Sequence, residues 1–276
     1  MIATLPVPGP TRRTLWTTSA EPAVGVVGSG QHLPDRVVGN RELARLLGVE
    51  PTWVDRTAGV ARRRWATPGE STADVATGAV RAALRACALR PEQVTVLVVA
   101  AESAPQVHPA VLVRERLDLN GAALDLAVDF VAALAVAHSI VLAAGGCGVV
   151  VGAQVREIDP FDDPACVRTG DGAGALVLAR TRPGRGLNAV ELAGSGRCDL
   201  TGFLTGASVP PEAVAHVVGS RRGLCDAQVH TVEQDLGDTG PAAIPLALAL
   251  APPIAPGERV LLTGPPDHPS LALLTW

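Results

Sequence analysis

The sequence predicts an α/β protein in which helices pack on a largely parallel β-sheet. Hydrophobic residues make up 47% and charged residues 18% of the 276 residues, which is typical of a globular protein with a substantial core. Short apolar runs rich in Val alternate with longer runs rich in Ala and Leu, and this alternation indicates buried strands followed by helices. The second half repeats the alternation over a shorter length.

The first half contains three predicted strands and four predicted helices. The strands are apolar on both faces, which is typical of buried strands, and they cover residues 23–30, 94–101 and 149–154. The helices cover residues 40–49, 71–89, 108–119 and 129–146. Ser71 is the expected N-cap of the second helix. The fourth helix is apolar nearly all round, so we expect it to be buried between layers.

The second half contains four further predicted strands and one helix. The strands cover residues 187–196, 214–220, 258–264 and 270–276, and the helix covers residues 240–251. The polar, Gly- and Pro-containing residues 198–211 are predicted to form a loop. Together these elements divide the chain into a loose tail (residues 1–22), an N-terminal half (residues 23–185) and a shortened C-terminal half (residues 186–276).

The composition argues against several classes of function. A net charge of −4 argues against nucleic acid or a membrane surface as the main partner. No apolar run reaches the ~18 residues of a membrane span, and residues 1–22 lack the apolar segment of a signal peptide. The five cysteines are widely spaced and never form a CxxC pair. This spacing favours reduced thiols in the cytoplasm over disulfides or a metal site.

Five motifs occur in an order that is typical of one enzyme family. They are GSGQHLPDRVVGN with RRRWATPGESTADVATGAVRAAL, VLVVAAESAPQVHPA, RTGDGAGALVL, LGDTGPAAIPLALALA and GERVLLTG. In this order they resemble the strand, loop and helix motifs of the β-ketoacyl-ACP synthase III family. The resemblance covers residues 28–276.

The resemblance implies an α/β thiolase fold, in which two repeated αβ halves form five layers in the order αβαβα. It also implies an acyl or polyketide-type natural-product pathway, with a thioester of CoA or of ACP-phosphopantetheine as substrate rather than a bound cofactor. Members of the family dimerise. The expected partners are therefore a second copy, an active ketosynthase III homologue, or an acyl carrier protein.

The family's nucleophilic cysteine lies at the start of the buried central helix, where aligned N–H groups and the helix dipole stabilise a thiolate. Alignment of its "DxxxACAGF" pattern with DLAVDFVAAL (residues 125–134) places Phe130 at the cysteine position and Asp129 directly before it. Phenylalanine has no nucleophile. The resemblance therefore implies that acyl transfer to the enzyme is lost.

The family's other catalytic groups are also replaced. Its histidine aligns with Ser220 and its asparagine with Asp238, and the turn that lends a backbone donor to the oxyanion becomes GPPDHPS at residues 264–270. A carboxylate repels a developing oxyanion, and proline has no N–H to donate.

Two interpretations of these positions stay open. Asp129, Ser220, Asp238 and Asp267 form a new acid–base site with His268 as general base, or they are structural residues, with Asp129 capping the helix. His268 itself is either that base or an exposed turn residue. Gly170, Gly172 and Gly174 are interpreted as sites of tight backbone packing.

The resemblance also implies a coenzyme A contact in the N-terminal half of the chain. Trp53 aligns with the family tryptophan that stacks on the adenine of coenzyme A, and Arg56 lies next to the position of the following arginine. Packing of Trp53 on a neighbouring side chain is the alternative.

Two functions remain in competition. The first is a non-condensing subunit that pairs with an active homologue. The second is an enzyme of acyltransferase type that lacks a cysteine nucleophile and uses Asp and His groups for acyl transfer, hydrolysis or cyclisation of an acyl-thioester-derived substrate.

Overall fold

The computed structural model describes residues 15–17, 23–101, 108–156, 164–192, 199–219, 226–265 and 270–276. The strands within these ranges, β1 to β13 in chain order, are Leu15–Thr17, Val24–His32, Arg36–Gly39, Arg62–Trp65, Val94–Ala100, Ala122–Leu126, Cys147–Gln154, Gly172–Arg180, Gly186–Glu191, His216–Gly219, Gln228–His230, Arg259–Thr263 and Leu271–Thr275. The α-helices, α1 to α8, are Asn40–Leu47, Pro51–Ala58, Thr72–Ala86, Pro109–Leu117, Phe130–Ala144, Leu200–Gly206, Glu233–Leu236 and Ala243–Leu250. No helix in these ranges is long and apolar enough to cross a membrane.

The two halves of the chain form two sheets with the same strand order. The N-terminal sheet runs β2-β8-β7-β5-β6, and the C-terminal sheet runs β9-β13-β12-β10-β11. In both sheets the first two pairings are antiparallel and the last two are parallel. The predicted repeat is therefore present, but the sheets are mixed rather than largely parallel. One reason is that the connection from β12 to β13 is too short for the crossover that a parallel pair needs.

The first strand adds a sixth member to the C-terminal sheet. Within residues 1–22, which the sequence predicts to be a loose tail, Leu15–Thr17 pairs antiparallel with β9. Part of the predicted tail thus belongs to a sheet in the other half of the chain. A pairing with a strand so distant in sequence leaves no local signal.

The helices and sheets form five layers that pack on one another through three apolar clusters. Residues of α3 and α4 pack on the outer face of the N-terminal sheet, and Phe203 and Leu204 of α6 pack on the outer face of the C-terminal sheet. Residues of α5, α8 and both sheets share the central cluster. This is the predicted αβαβα order. The predicted loop at residues 198–211 is wrong, because it contains α6. Burial of the two large side chains outweighs the weak helix propensity of Gly and Thr.

The sequence predicts that the central helix α5 is buried between layers, and most of its surface is. One side of the helix is nevertheless exposed. Val136, Ser139 and Ala143, spaced by three and four residues, are exposed and therefore form one stripe along the helix. Val128, just before the helix, is also exposed.

Among the described cysteines, Cys87 and Cys147 are not paired in a disulfide bond. Cys198 and Cys225 lie outside the described residues.

The glycine-rich motif at the start of β8 allows close contact between layers, as the sequence analysis proposes. A Cβ atom at Gly174 would lie 2.5 Å from the backbone nitrogen of Leu246 and 2.5 Å from the carbonyl carbon of Pro245, both in α8. Backbone atoms cannot move aside as a flexible side chain does, so this position excludes any side chain.

We expect Gly174→Ala to lower the free energy of unfolding by at least ~2 kcal/mol, because it overpacks the contact between β8 and α8. Gly39→Ala is the matched control, since a Cβ atom there meets nothing within 4 Å. Urea unfolding followed by circular dichroism measures both. Equal losses in the two variants would show that the close approach of β8 and α8 is not required.

Candidate active site

The start of α5 is fixed by Asp129. Its backbone is extended (φ −65°, ψ 162°), and its side chain accepts a hydrogen bond from the backbone N–H of Ala132 at 3.0 Å. A carboxylate at this position satisfies one of the free N–H groups of the first turn and interacts favourably with the helix dipole. Asp129 therefore caps the central helix.

The second carboxylate oxygen of Asp129 is bound from the other half of the chain. Ser270 Oγ donates a hydrogen bond of 2.7 Å to Asp129 Oδ2, and Ser270 is 1% exposed. Because Ser270 directly precedes β13, this bond joins the last strand to the start of α5. The sequence analysis missed Ser270, since a single serine before a strand carries no signal of a partner 141 residues away.

Phe130, the residue aligned with the family's cysteine, is the first residue of α5. It is 1% exposed and belongs to the central apolar cluster. Its ring therefore occupies core volume at the helix start.

Asp238 is held by its backbone, and its side chain is exposed. Its N–H donates to Arg168 O at 2.7 Å and its C=O accepts from the N–H of Gly170 at 2.9 Å. Gln154 Nε2 donates to the same carbonyl at 3.1 Å. The carboxylate accepts the N–H of Gly240 at 3.0 Å, which fixes the turn that leads into α8.

A buried carboxylate supports this part of the site. Asp171 is 3% exposed and accepts the backbone N–H groups of Ala66 at 2.8 Å and Arg156 at 3.0 Å. Burial raises the pKa of this carboxyl, while the two backbone bonds oppose the rise. Asp171 thereby joins the end of β4 to the segment after β7.

A buried arginine on β4, which the sequence analysis also missed, bonds to the start of α1 and to the segment after β7. Arg63 is 0% exposed, and its guanidinium donates to Asn40 Oδ1 at 2.8 Å and to Val167 O at 2.5 Å. Burial lowers its pKa. In a strand, neighbouring side chains point to opposite faces, so the burial of Arg63 next to exposed Arg62 is the one feature of the sequence pattern that could have indicated it.

Trp53 and Arg56 lie one turn apart on α2. Trp53 is 40% exposed, and Arg56 Nε donates to the backbone carbonyl of Thr52 at 3.1 Å. The indole is therefore accessible to a ligand.

The remaining predicted site residues, Ser220 and His268 with its neighbour Asp267, lie outside the described residues. Among the described ones, no hydrogen bond joins Asp129 and Asp238. Asp129 instead caps α5, and Asp238 accepts the N–H of Gly240 in the turn that leads to α8.

No protein-family model matches the chain, but individual relatives do. It is 31% identical to the acetoacetyl CoA synthase NphT7 of Streptomyces sp. (strain CL190), over 91% of this chain and 98% of the relative. It is 31% identical to a β-ketoacyl-[acyl-carrier-protein] synthase III of Ruegeria sp. (strain TM1040), over 86% of this chain and 93% of the relative.

The solved structures agree with these relatives. The 3-oxoacyl-[acyl-carrier-protein] synthase III of Aquifex aeolicus VF5 superposes with a TM-score of 0.81 at 25% identity, over 92% of this chain and 100% of that structure. The fold, the order of motifs and these relatives define one family of thiolase-fold proteins. The chain belongs to the β-ketoacyl-ACP synthase III family.

The bond between Ser270 and Asp129 is expected to stabilise the junction of the two halves. Ser270→Ala and Asp129→Ala should each lower the free energy of unfolding, the latter more, because Asp129→Ala also removes a helix cap that contributes about 1 kcal/mol. The double variant should lose less than the sum, with a coupling of about 1.5–3 kcal/mol for a hydrogen bond to a charged group. Additive losses in urea unfolding would show that the two side chains do not interact in solution.

Proposed function

We propose that this chain is a β-ketoacyl-synthase-III-like subunit that does not condense acyl groups itself and pairs with an active homologue in an acyl or polyketide-type pathway. The observation that carries this proposal is the position of Phe130. It is the first residue of α5 and is buried where the aligned family cysteine would accept an acyl group.

The environment of Phe130 supports the proposal in two ways. A phenyl ring cannot attack a thioester, and its burial leaves no space for an acyl chain at that point. Asp129 already uses the positive end of the helix dipole, since its two carboxylate oxygens accept hydrogen bonds from Ala132 and Ser270.

The group aligned with the family's asparagine supports the same conclusion. A carboxylate accepts hydrogen bonds and does not donate them, whereas stabilisation of an enolate oxygen requires a donor. Its acceptance of the N–H of Gly240 is a structural role that replaces a catalytic one.

The surface around α5 fits a second thiolase-fold subunit. Strand β6 lies at the edge of the N-terminal sheet, so one side of its backbone is available for pairing with another strand. Val136 and Ala143 in the exposed stripe of α5, together with exposed Val128, provide apolar surface beside this edge, and we infer that it contributes to the interface.

An enzyme acting on an acyl thioester is the second candidate function, and the exposure of Trp53 favours it. An accessible indole can stack on an adenine ring, and the guanidinium of Arg56 can contact a phosphate. Acyl transfer, hydrolysis or cyclisation by this chain would then need His268 as its base. His268→Ala should lower any such rate by at least ~10²-fold.

Assembly tests the subunit proposal. Val136→Asp should reduce the fraction of protein in the dimer, because it places a charge in the stripe of α5, and it should leave the monomer folded because Val136 is 37% exposed. Val37→Asp is the control, a comparably exposed valine (44%) on β3. Light scattering after size-exclusion chromatography, with this chain alone and with a co-expressed active ketosynthase III, measures the mass. A chain that stays monomeric in both experiments contradicts the proposal.

Restoring the nucleophile alone should not restore condensation. In Phe130→Cys the other oxyanion donors would still be missing. Each such donor typically lowers the activation barrier by ~2.7–4 kcal/mol. Chromatography of products from acyl-CoA and malonyl-ACP tests this expectation. Measurable ketoacyl product from the single variant would show that the alignment of Asp238 with the family's asparagine is wrong.

A further inference from the structure

Two histidines and a glutamate form a hydrogen-bonded chain in the C-terminal sheet, apart from the site described above. His216 Nδ1 lies 3.0 Å from His230 Nε2, and His216 Nε2 lies 3.0 Å from Glu258 Oε2. His216 begins β10, His230 ends β11, and Glu258 directly precedes β12. The side chain of His216 is only 9% exposed, so the imidazole ring in the middle of this hydrogen-bonded trio is largely shielded from water.

The strand that carries His230 is short and lies at the edge of its sheet. β11 has three residues and lies at the edge of the sheet, paired with β10 alone. Gln228 and Val229 are exposed, and the N–H of Gln228 donates to Ala215 O at 2.9 Å. So short an edge strand makes few backbone bonds, and the imidazole pair is therefore a substantial part of its attachment to β10.

The protonation states compatible with this geometry follow from the donors and acceptors available. The carboxylate of Glu258 accepts only, so His216 Nε2 must carry a proton. In the neutral pair, His216 Nδ1 then accepts the N–H of His230 Nε2. One added proton reverses this bond: His216 becomes an imidazolium that donates to both Glu258 and His230. A second proton places two N–H groups against each other at 3.0 Å and breaks the contact.

We propose that Glu258, His216 and His230 form a pH-sensitive clasp that fastens β11 to β10, closed with at most one proton added to the imidazole pair and open with two. The ligand of the clasp is the proton. In the described part of the chain, no group of three or more His, Cys, Asp or Glu side chains is arranged to hold a metal ion.

The electrostatics around the pair support this assignment. The hydrogen bond from His216 lowers the pKa of Glu258, with a further contribution from the N–H of Ala255, so this carboxylate stays ionised under mildly acidic conditions. Burial lowers the pKa of His230, and the charge of His216 adds to the effect.

Other charged groups lie on the surrounding elements. They are Glu212 in the turn before β10, Asp226 before β11, Glu233 at the start of α7 and Arg259 at the start of β12, while α8, which also contacts β10, has only apolar residues.

The sign of the pH dependence follows from the lowered pKa of His230. The folded state binds its proton less readily than the unfolded state, so the stabilisation is present above the ordinary histidine pKa of about 6.5 and is lost as the pH falls below it.

Hydrogen exchange of the Gln228 amide tests the clasp. In the wild-type chain, protection of this amide, corrected for the intrinsic rate, should fall by at least ~10-fold between about pH 7.5 and about pH 5, relative to Leu273 in the same sheet. His230→Phe, which keeps a ring of similar size but cannot be protonated, should remove this dependence. The matched control His108→Gln, at an exposed histidine outside the sheet, should retain it.

An unchanged protection of Gln228 in the wild-type chain would overturn the proposal, as would an unchanged pH dependence in His230→Phe. If His230→Phe does not fold, the ring ¹⁵N shifts of the wild-type histidines decide. The proposal predicts two separated titration steps shared by His216 and His230. Independent titration of both rings near the ordinary pKa of about 6.5 would overturn it.

Discussion

Burial of α5 and α8 between two sheets is the constraint on which the rest of this structure depends. The two sheets have the same strand order and the same sequence of antiparallel and parallel pairs, and their inner faces share one apolar cluster with the two helices. Each helical segment begins after an aspartate whose carboxylate accepts a backbone N–H, Asp129 for α5 and Asp238 for the turn before α8. Each of these carboxylates thereby satisfies a backbone N–H that the helical segment itself leaves without a partner.

The same constraint explains how the frame could persist under the proposed loss of the catalytic thiol. A buried helix start needs a cap and a well-packed first residue, and it does not need a thiol. Phe130 provides apolar packing in the central cluster, and Ser270 binds the cap from the last strand. Together they stabilise the junction of the two halves through contacts that need no substrate. Gly174 and Asp171 act likewise, the first through close backbone packing and the second through its bonds to Ala66 and Arg156.

Much of the fold could be predicted from the sequence because it depends on local patterns. The apolar run of β7, the Ser71 cap of α3 and the apolar face of α5 are visible in the residues themselves. The antiparallel return of β8, the pairing of β1 with β9 and the helix α6 could not be predicted, since each depends on contacts between distant segments. In the site, the cap by Asp129 follows from its position before a helix, whereas the bond from Ser270 and the pairing of His216 with His230 arise only when the sheets assemble.

The central proposal is that the start of α5 is a packed structural junction and not an acyl-accepting site. Intact-protein mass spectrometry after incubation with acyl-CoA and with acyl-ACP tests it most directly, with an active family member treated in parallel to show that the thioesters are competent. The account predicts that the mass of this chain stays unchanged while the active enzyme gains one acyl group. A stable acyl adduct that peptide mapping assigns to residues 125–134 would contradict it.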